Sequence, residues 1–514
     1  MVELNAREML SAASAASATM SGGAALSRGP RKLSPAALAA AAVQPRPAYS
    51  PIVIAGFVRA IECVLIALVG SVLYLAYVVP QHGFSWTYGA AIAGITALSI
   101  VAFQAADIYQ VHAFRPVSQM ARLFSAWSIV FLIAAGVSFL GKFDVLFSRV
   151  WAIAFYAAGL AVLLAERAAL YALVRSWIHD GRLTRRTVIV GGGEPGANLI
   201  AALRHQEDSD VQIVGVFDDR NDDRSPTTCG GLEKLGTVDD FVEFARRTRI
   251  DLVIFSLPFT AETRILQMLK KLWVLPLDIR LAAHLNKLRF RPRSYSYIGN
   301  VPVLDVFDRP MADWDVVMKW LFDKVIGGLA LLFALPVMAV IAIAIKLDSR
   351  GPVLFKQKRY GFNNDMIEVF KFRSMYVDAT DATASKLVTK NDPRVTRVGR
   401  FIRKASLDEL PQLVNVVFKG NLSLVGPRPH AVNAKAETRL YDEVVDGYFA
   451  RHRVKPGVTG WAQVNGWRGE TDTQEKIQKR VEYDLYYIEN WSVLFDLYIV
   501  AITPFALLKT ENAY

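Results

Sequence analysis

Asp408 and Glu409 stand side by side in the run Arg403-Lys404-Ala405-Ser406-Leu407-Asp408-Glu409-Leu410-Pro411-Gln412, within one of the most basic stretches of the chain. A carboxylate set among Arg and Lys is either a partner that neutralises them or a nucleophile facing a phosphate. Phosphoryl transfer needs in-line positioning and screening of charge on the phosphate oxygens. A carboxylate can attack phosphorus and form an aspartyl-phosphate type of intermediate. The same residues allow a structural reading. Ser406-x-x-Glu409 has the form of a helix capping box, with Asp408 in the first turn complementing the dipole. Capping and catalysis are compatible, because a helix start offers free N–H groups to a phosphate. Pro411 complicates the frame, since its missing N–H is harmless at a third helical position but not at a fifth. Asp408 itself is then an alternative cap.

The surroundings sharpen the question. Between Lys346 and Glu470, 22 Lys/Arg stand against 13 Asp/Glu, which is most of the whole-chain net charge of +12. This excess fits an anionic membrane face, a pocket for phosphorylated substrates, or both. The 514 residues are 53% hydrophobic with a mean hydropathy of +0.26, too many for one core and unusually apolar for a soluble chain. Only Cys63 and Cys229 occur, one in an apolar run and one in a polar loop, so neither a disulfide framework nor a Cys-based metal site is expected. The histidines, His430 and His452 among them, show no paired metal spacing.

The apolar residues fall into long runs that must position the basic half. Residues 1–50, rich in Ala and Ser, read as a disordered tail, and no basic start precedes a continuous apolar stretch as in a cleaved signal peptide. Four runs follow, roughly 52–79, 86–107, 120–140 and 150–174, each long enough to span a bilayer as a helix. Short connections favour an antiparallel four-helix domain over 51–178. The basic tail and Arg182, Arg185 and Arg186 place both ends in the cytoplasm, with Lys142 and Arg149 as counter-evidence. Arg59 reads as snorkelling, and Glu62 as paired with a polar neighbour.

A fifth run, Val325 to Ile345, carries no charge over 21 residues. If it crossed the membrane, the acid pair would lie outside the cell, away from nucleotides. Pro336 at its midpoint kinks a helix. The expectation is a kinked re-entrant helix over 320–346; the alternative is a fifth span.

Between these apolar parts, Thr187–Val190 reads as a buried strand, followed by Gly191-Gly192-Gly193-Glu194-Pro195-Gly196. A second strand, Val211–Phe217, ends in Asp218 and Asp219, where a ribose-binding acid belongs. Residues 183–310 therefore read as a Rossmann-like α/β domain of CoA- or nucleotide-binding type. Gly191, Gly193, Gly196 and Asp218 are its candidate ligand residues, and the bland alternative is that the glycines only permit a tight turn and close packing. A membrane-anchored nucleotide-sugar dehydratase would also join helices to such a domain. Its chemistry needs a Tyr four residues before a Lys, and none of the 18 tyrosines has one.

Six runs in the last third complete the pattern: Lys371-Phe372-Arg373-Ser374-Met375, Asp392-Pro393-Arg394, the acid-pair run, Leu424-Val425-Gly426-Pro427-Arg428-Pro429, Lys455-Pro456-Gly457-Val458-Thr459-Gly460-Trp461, and Tyr487-Ile488-Glu489-Asn490-Trp491. With the layout of the whole chain, these resemble the bacterial polyprenyl-phosphate glycosyl-1-phosphate transferases, of the large kind with a monotopic catalytic domain that starts exopolysaccharide or O-antigen units. The resemblance implies four transmembrane helices, a Rossmann-like domain and a mostly α catalytic domain over 316–514, facing the cytoplasm at a bacterial inner membrane. It implies transfer of a sugar-1-phosphate, with glucose the expected sugar and galactose next, from a UDP-sugar to undecaprenyl phosphate with release of UMP. Asp408 falls on the nucleophile and Glu409 on the acid that assists a Mg²⁺ site. Arg403 and Arg428 fall on arginines that hold phosphate, with Lys371, Arg373 and Arg359 as further candidates. Membrane lipid is an expected partner, nucleic acid is not, and a homodimer is left open. Asn421 departs from the family's pattern, where an acid is expected. Trp461 and Trp491 read as core or interface anchors, and Leu497–Leu508, broken by Pro504, as an interfacial helix. A non-catalytic scaffold that keeps the fold is the remaining alternative.

Overall fold

The computed structural model describes residues 32–43, 48–109, 116–142, 146–205, 210–220, 227–257, 261–282, 296–298, 301–377, 392–430, 435–436, 439–440, 448–467 and 473–508. Two compact units emerge, one comprising Pro45–Arg185 with Glu207–Gln212, the other comprising Met1–Gln44, Arg186–Gln206 and Ile213–Tyr514.

The expectation of a structureless tail over 1–50 is corrected for part of its length. Helix α1 (Pro35–Ala42) starts at Ser34, whose side chain accepts from the Ala37 N–H, with Pro35 in the first turn. Ser and Pro at these positions are strong helix-start signals. The Ser34 hydroxyl donates to Leu235 O at 2.7 Å, and Leu33 and Ala37 join the core of the α/β sheet. Residues 1–31 and 44–47 of the expected tail lie outside the described residues.

The first unit consists of long apolar helices: α2 (Pro51–Leu73), α3 (Trp86–Ala105), α4 (Pro116–Leu140) and α5 (Arg149–His179). Ser50, Ser85 and Ser148 cap α2, α3 and α5 with their side chains. α2 continues to His82 through one π turn, Tyr74–Val78, just before Pro80. A proline there removes an N–H and clashes with the preceding turn, so the ladder widens instead of breaking. Trp127, Phe103, Phe155 and Ile66 are buried between the helices, while Leu132, Phe139 and Ile153 face outward. Inside this apolar unit Glu62 is fully buried and accepts from Arg167 Nη2 at 2.5 Å and from the Tyr109 hydroxyl at 2.6 Å. Arg59 lies over the Tyr109 ring at 4.6 Å. A charge in such surroundings persists only when paired.

In the second unit an eight-stranded sheet runs β3-β4-β2-β1-β5-β6-β8-β7. Its strands are β1 (Arg185–Val190), β2 (Val211–Phe217), β3 (Thr228–Cys229), β4 (Leu232–Gly236), β5 (Leu252–Phe255), β6 (Asp278–Ala282), β7 (Ser296–Ile298) and β8 (Val301–Phe307). β1 pairs parallel with β5, β5 with β6, and β2 with β4. Helices α6 (Gly193–Arg204), α7 (Val238–Arg247) and α8 (Glu262–Leu272) connect them, and α7 opens with a Thr237–Asp240 capping box. Strands buried on both faces read as apolar runs, as Leu252–Phe255 does, with all four residues buried.

The rest of this unit is built around α9 (Asp313–Asp348), which runs through Pro336. It is longer than the expected 320–346. One face is buried at Lys319, Phe322, Asp323, Gly327, Leu331, Ile341 and Ile345. A hairpin follows, β9 (Leu354–Tyr360) antiparallel to β10 (Met366–Phe372). Then come α10 (Arg397–Lys404), a helical run from Gln412 to Lys419, a short parallel pair of Ser423–Val425 with Gly457–Thr459, α11 (Gln474–Glu489) and α12 (Val493–Leu508). Among the described residues, five helices are long and apolar enough to cross a membrane.

Candidate active site

The acid pair does not sit in a capping box, which corrects the local reading. α10 ends at Lys404, Ser406 turns into the left-handed region at φ 57°, and Leu407–Glu409 form a single 3-10 turn with no side-chain cap from Ser406. Pro411 therefore precedes the next helix, at its N-cap, where a missing N–H costs nothing. The left-handed Ser406 breaks the chain direction between two helices and presents the acids on the turn.

Hairpin and loop bring cations to one of these acids. Lys371 Nζ on β10 donates to Glu409 Oε1 at 2.7 Å, and Arg428 Nη2 donates to the same oxygen at 2.5 Å. Glu409 is 16% exposed. Burial acts to raise its pKa, but Arg428 and Lys371 outweigh that and hold the carboxyl well below the usual range. Asp408 is the opposite case. Among the described residues no hydrogen bond or ion pair holds it. Burial pushes its pKa up to about 6, the charge of Glu409 adds to the push, and Lys371, Arg403 and Arg428 oppose it. Two adjacent carboxylates thus divide into one clamped ion and one uncommitted group.

Three further elements hold this arrangement. Asn415, fully buried, accepts from the Phe370 N–H at 2.9 Å and donates to Glu368 O at 2.7 Å, which fixes β10 beside Lys371. Asn415 lies at the start of a π turn, Asn415–Lys419. Asn421, the departure noted in the sequence, accepts from Asn415 Nδ2 at 3.2 Å. Behind Arg428, the buried Arg451 donates to Arg428 O at 2.6 Å and pairs with Asp484 at 2.6 Å. Arg451 also contacts His430 Nδ1 at 2.6 Å, and the Tyr448 hydroxyl shares that nitrogen at 2.8 Å. Burial, with Arg451 and Arg480 next to it, keeps the His430 pKa far below its ordinary value. These positioning residues escaped the sequence reading, because His430, Arg451 and Asp484 are scattered over more than 50 residues with no spacing that connects them.

The other candidates separate. Arg403, at the end of α10, acts on Asp408 through its charge. Arg359 donates to Pro429 O at 3.3 Å and to Gln357 Oε1 at 2.6 Å, bracing the Pro-Arg-Pro loop. Arg373 is buried and donates to Ser349 O at 2.8 Å and to the Arg350 and Ile345 carbonyls, so it closes the C-terminal end of α9. Pro336 lies inside α9. Trp491 Nε1 donates to the buried Asp496 at 3.1 Å, as an anchor would.

The glycine loop lies in the α/β sheet. Gly191 has φ 105°, and a Cβ there would sit 2.9 Å from Ser256 Oγ; one on Gly196 would sit 2.6 Å from Gly191 O. Both glycines are required by the turn and by close packing. Asp218 is 1% exposed, accepts from the Gly192 N–H at 2.8 Å and pairs with Arg220 Nη2 at 2.8 Å. Burial works to raise its pKa, and the bonds from Arg220 and Gly192 overcome that and lower it.

No group of three or more His, Cys, Asp or Glu among the described residues forms a metal cage. Two neighbouring carboxylates still fit Mg²⁺, which takes one or two carboxylates and completes its shell from substrate phosphates and water.

Residues 314–510 match the bacterial sugar transferase family, and residues 104–283 match a family described as a CoA-binding domain. The chain is 37% identical over 404 residues, 78% of its length and 84% of the relative, to a UDP-glucose:undecaprenyl-phosphate glucose-1-phosphate transferase of Escherichia coli strain K12. Relatives of the same description from Klebsiella pneumoniae (38% identical, covering 76% of this chain and 81% of theirs) and Xanthomonas campestris pv. campestris (35%, covering 83% and 88%) are similar over comparable lengths. The protein is a membrane phosphotransferase. The chain belongs to the bacterial sugar transferase family, alongside undecaprenyl-phosphate glucose-1-phosphate transferases.

Proposed function

We propose that the enzyme transfers glucose-1-phosphate from UDP-glucose to undecaprenyl phosphate, releasing UMP, through a covalent intermediate on Asp408. One observation carries the reading: of two adjacent acids in a cationic site, Glu409 is clamped by Lys371 and Arg428, while Asp408 has no hydrogen bond or ion pair among the described residues. An uncommitted carboxylate is the one free to attack. Asp408 Oδ forms a bond to the β-phosphorus, the bond to the α–β bridging oxygen breaks, and that oxygen leaves on UMP. The lipid phosphate oxygen then attacks the same phosphorus and Asp408 departs as carboxylate. Arg428 and Arg403 are placed to screen the phosphate oxygens, as phosphoryl transfer requires. Asp408 and Glu409 would hold Mg²⁺, which supplies further screening when bound.

The re-entrant reading of α9 has its own support. Phe322, early in the helix, and Leu331, at its middle, pack with Leu413 and Leu424; Ile341 and Ile345, near its end, pack with Phe372 and Ile402. Lys319 Nζ, in the first third, donates to Asp496 Oδ2 at 2.6 Å and to Val425 O at 2.9 Å. Both ends of the helix therefore rest on one catalytic module, whereas a spanning helix would carry them to opposite faces of the bilayer. With four spanning helices before it, the site then faces the cytoplasm of a bacterial inner membrane. Binding of a nucleotide or CoA by the Rossmann-like sheet is not part of this proposal, because Asp218 is already spent on Arg220 and Gly192.

The test is Asp408→Asn in nanodiscs with UDP-glucose, undecaprenyl phosphate and Mg²⁺. UMP release should fall by at least about a thousandfold, the scale of a lost nucleophile. Release at the wild-type rate excludes Asp408 from that role.

A further inference from the structure

We propose that the apolar cavity beside Glu409 and Arg428 seats the first isoprenoid unit of the lipid-phosphate acceptor. The inference rests on the acceptor assigned above and adds where its hydrocarbon goes. The cavity has a volume of about 160 Å³. Glu409, Arg428, Ser406 and Gln463 bring polar groups to its lining, and Leu413, Val458, Val464 and Ala506 belong to the apolar remainder, which makes up most of the lining surface. Among the described residues the buried Gln463 Oε1 has no hydrogen-bond partner. Thr503 Oγ1 is occupied by Ile499 O at 2.6 Å and by Thr459 Oγ1 at 2.9 Å, so its polar atom is spent within the protein.

Size and polarity select the occupant. An apolar cavity of about 150 Å³ holds a benzene-sized hydrocarbon, so this one takes a five-carbon unit. It is well below the roughly 300–1,000 Å³ of pockets that enclose larger ligands, so it does not enclose a whole sugar nucleotide. In a polyprenyl phosphate, carbon begins directly after the phosphate ester oxygen. In a phospholipid, glycerol and ester groups intervene. An apolar wall immediately beside the phosphate-facing Arg428 fits the first and penalises the second. Thr503 and Ala506 of α12 line the cavity, while Leu494, Leu497, Tyr498 and Phe505 of the same helix are exposed. This helix turns one side to the cavity and the other outward, giving the remaining isoprenoid chain an apolar surface to follow.

The test uses the full-length enzyme in nanodiscs with Ala506→Trp and Ala506→Leu, which fill the cavity to different degrees. Two readings are taken: UMP–UDP-glucose exchange without acceptor, and transfer to undecaprenyl phosphate. The expected result is exchange within about twofold of wild type, with KM for undecaprenyl phosphate raised at least about tenfold by Trp and a few-fold by Leu, the scale of overpacking a tight apolar site. An unchanged KM in both variants overturns the proposal and leaves the cavity as a packing void or a seat for bulk acyl chains. If Ala506→Trp loses exchange, the Leu variant alone decides. Absence of exchange in the wild type would count against the covalent intermediate, and the KM comparison, read from product formation, would still judge the cavity.

Discussion

Asp218 and Asp408 both looked like residues awaiting a phosphorylated ligand. Asp218 follows a glycine-rich turn at the end of a buried strand, and Asp408 lies among arginines. In the folded protein they part company. Asp218 is buried, bonded to the Gly192 N–H and to Arg220, and its pKa is lowered. Asp408 has none of these bonds among the described residues, and its pKa is raised to about 6. In the catalytic module the available cations are drawn to the neighbour, Glu409, and the nucleophile candidate is left uncommitted. The difference teaches that availability of a carboxylate, more than the motif around it, separates an acid that holds a fold from an acid that can react.

The comparison breaks most readily at Arg428. Arg428→Ala should lower kcat/KM for UDP-glucose by about 10²–10³, the scale of removing one donor from a developing oxyanion. Steady-state UMP release measures it, and a loss under threefold would mean that the clamp on Glu409 has no part in catalysis. Lys371→Ala should cost on the order of tenfold, or about 1.4 kcal/mol, because Arg428 remains on the same oxygen. Equal losses in the two variants would instead make the pair act as one unit.

Acidity sharpens the contrast next. In the proposed chemistry the attacking group is the Asp408 carboxylate, so the first half-reaction should fall as pH drops through about 6, being halved near that value and losing about tenfold per unit below it. Stability carries the opposite sign. The fold favours the neutral Asp408 acid, so its contribution is complete below the ordinary carboxylate range near 3.8 and is lost as pH rises through about 6. Asp408→Asn should therefore unfold at a higher temperature than wild type at pH 7.5, by thermal melts in the same nanodiscs, with most of that difference gone at pH 4. The smallest effect on turnover is expected in the sheet. Asp218→Ala should leave transfer within about twofold while lowering stability by about 1–3 kcal/mol, the cost of orphaned buried donors. Lost transfer with an unchanged melt would give Asp218 a ligand after all.

Much of this was legible in the chain. The apolar runs anticipated the positions of α2 to α5, with ends that differ by up to about five residues when the continuation of α2 to His82 is counted, since long apolar helices are marked by length and hydrophobicity. Strand Val211–Phe217 formed over the residues that its apolar pattern marks, and Thr187–Val190 lies within β1. Three features were not legible for physical reasons. Helix α1 is eight residues of Ala and Pro and one Leu, with no periodicity, and its Ser34-Pro35 start was the one usable signal. The capping box failed because Ser406 adopts a left-handed conformation that its residue type does not announce. Arg373 sits in a basic motif, yet its guanidinium closes α9, because long-range contacts with Ser349 and Arg350 decide its direction. Conversely, Asn421, which the pattern marks as odd, is absorbed by a bond to Asn415.

The most direct measurement is on the wild-type enzyme without acceptor. It is incubated with UDP-glucose labelled in the sugar, quenched in acid, digested and mapped by mass spectrometry. The expected result is one equivalent of UMP released per active site and a glucose phosphate on the peptide carrying Asp408, absent from Asp408→Asn. No adduct, together with UMP release that strictly requires undecaprenyl phosphate, would contradict it.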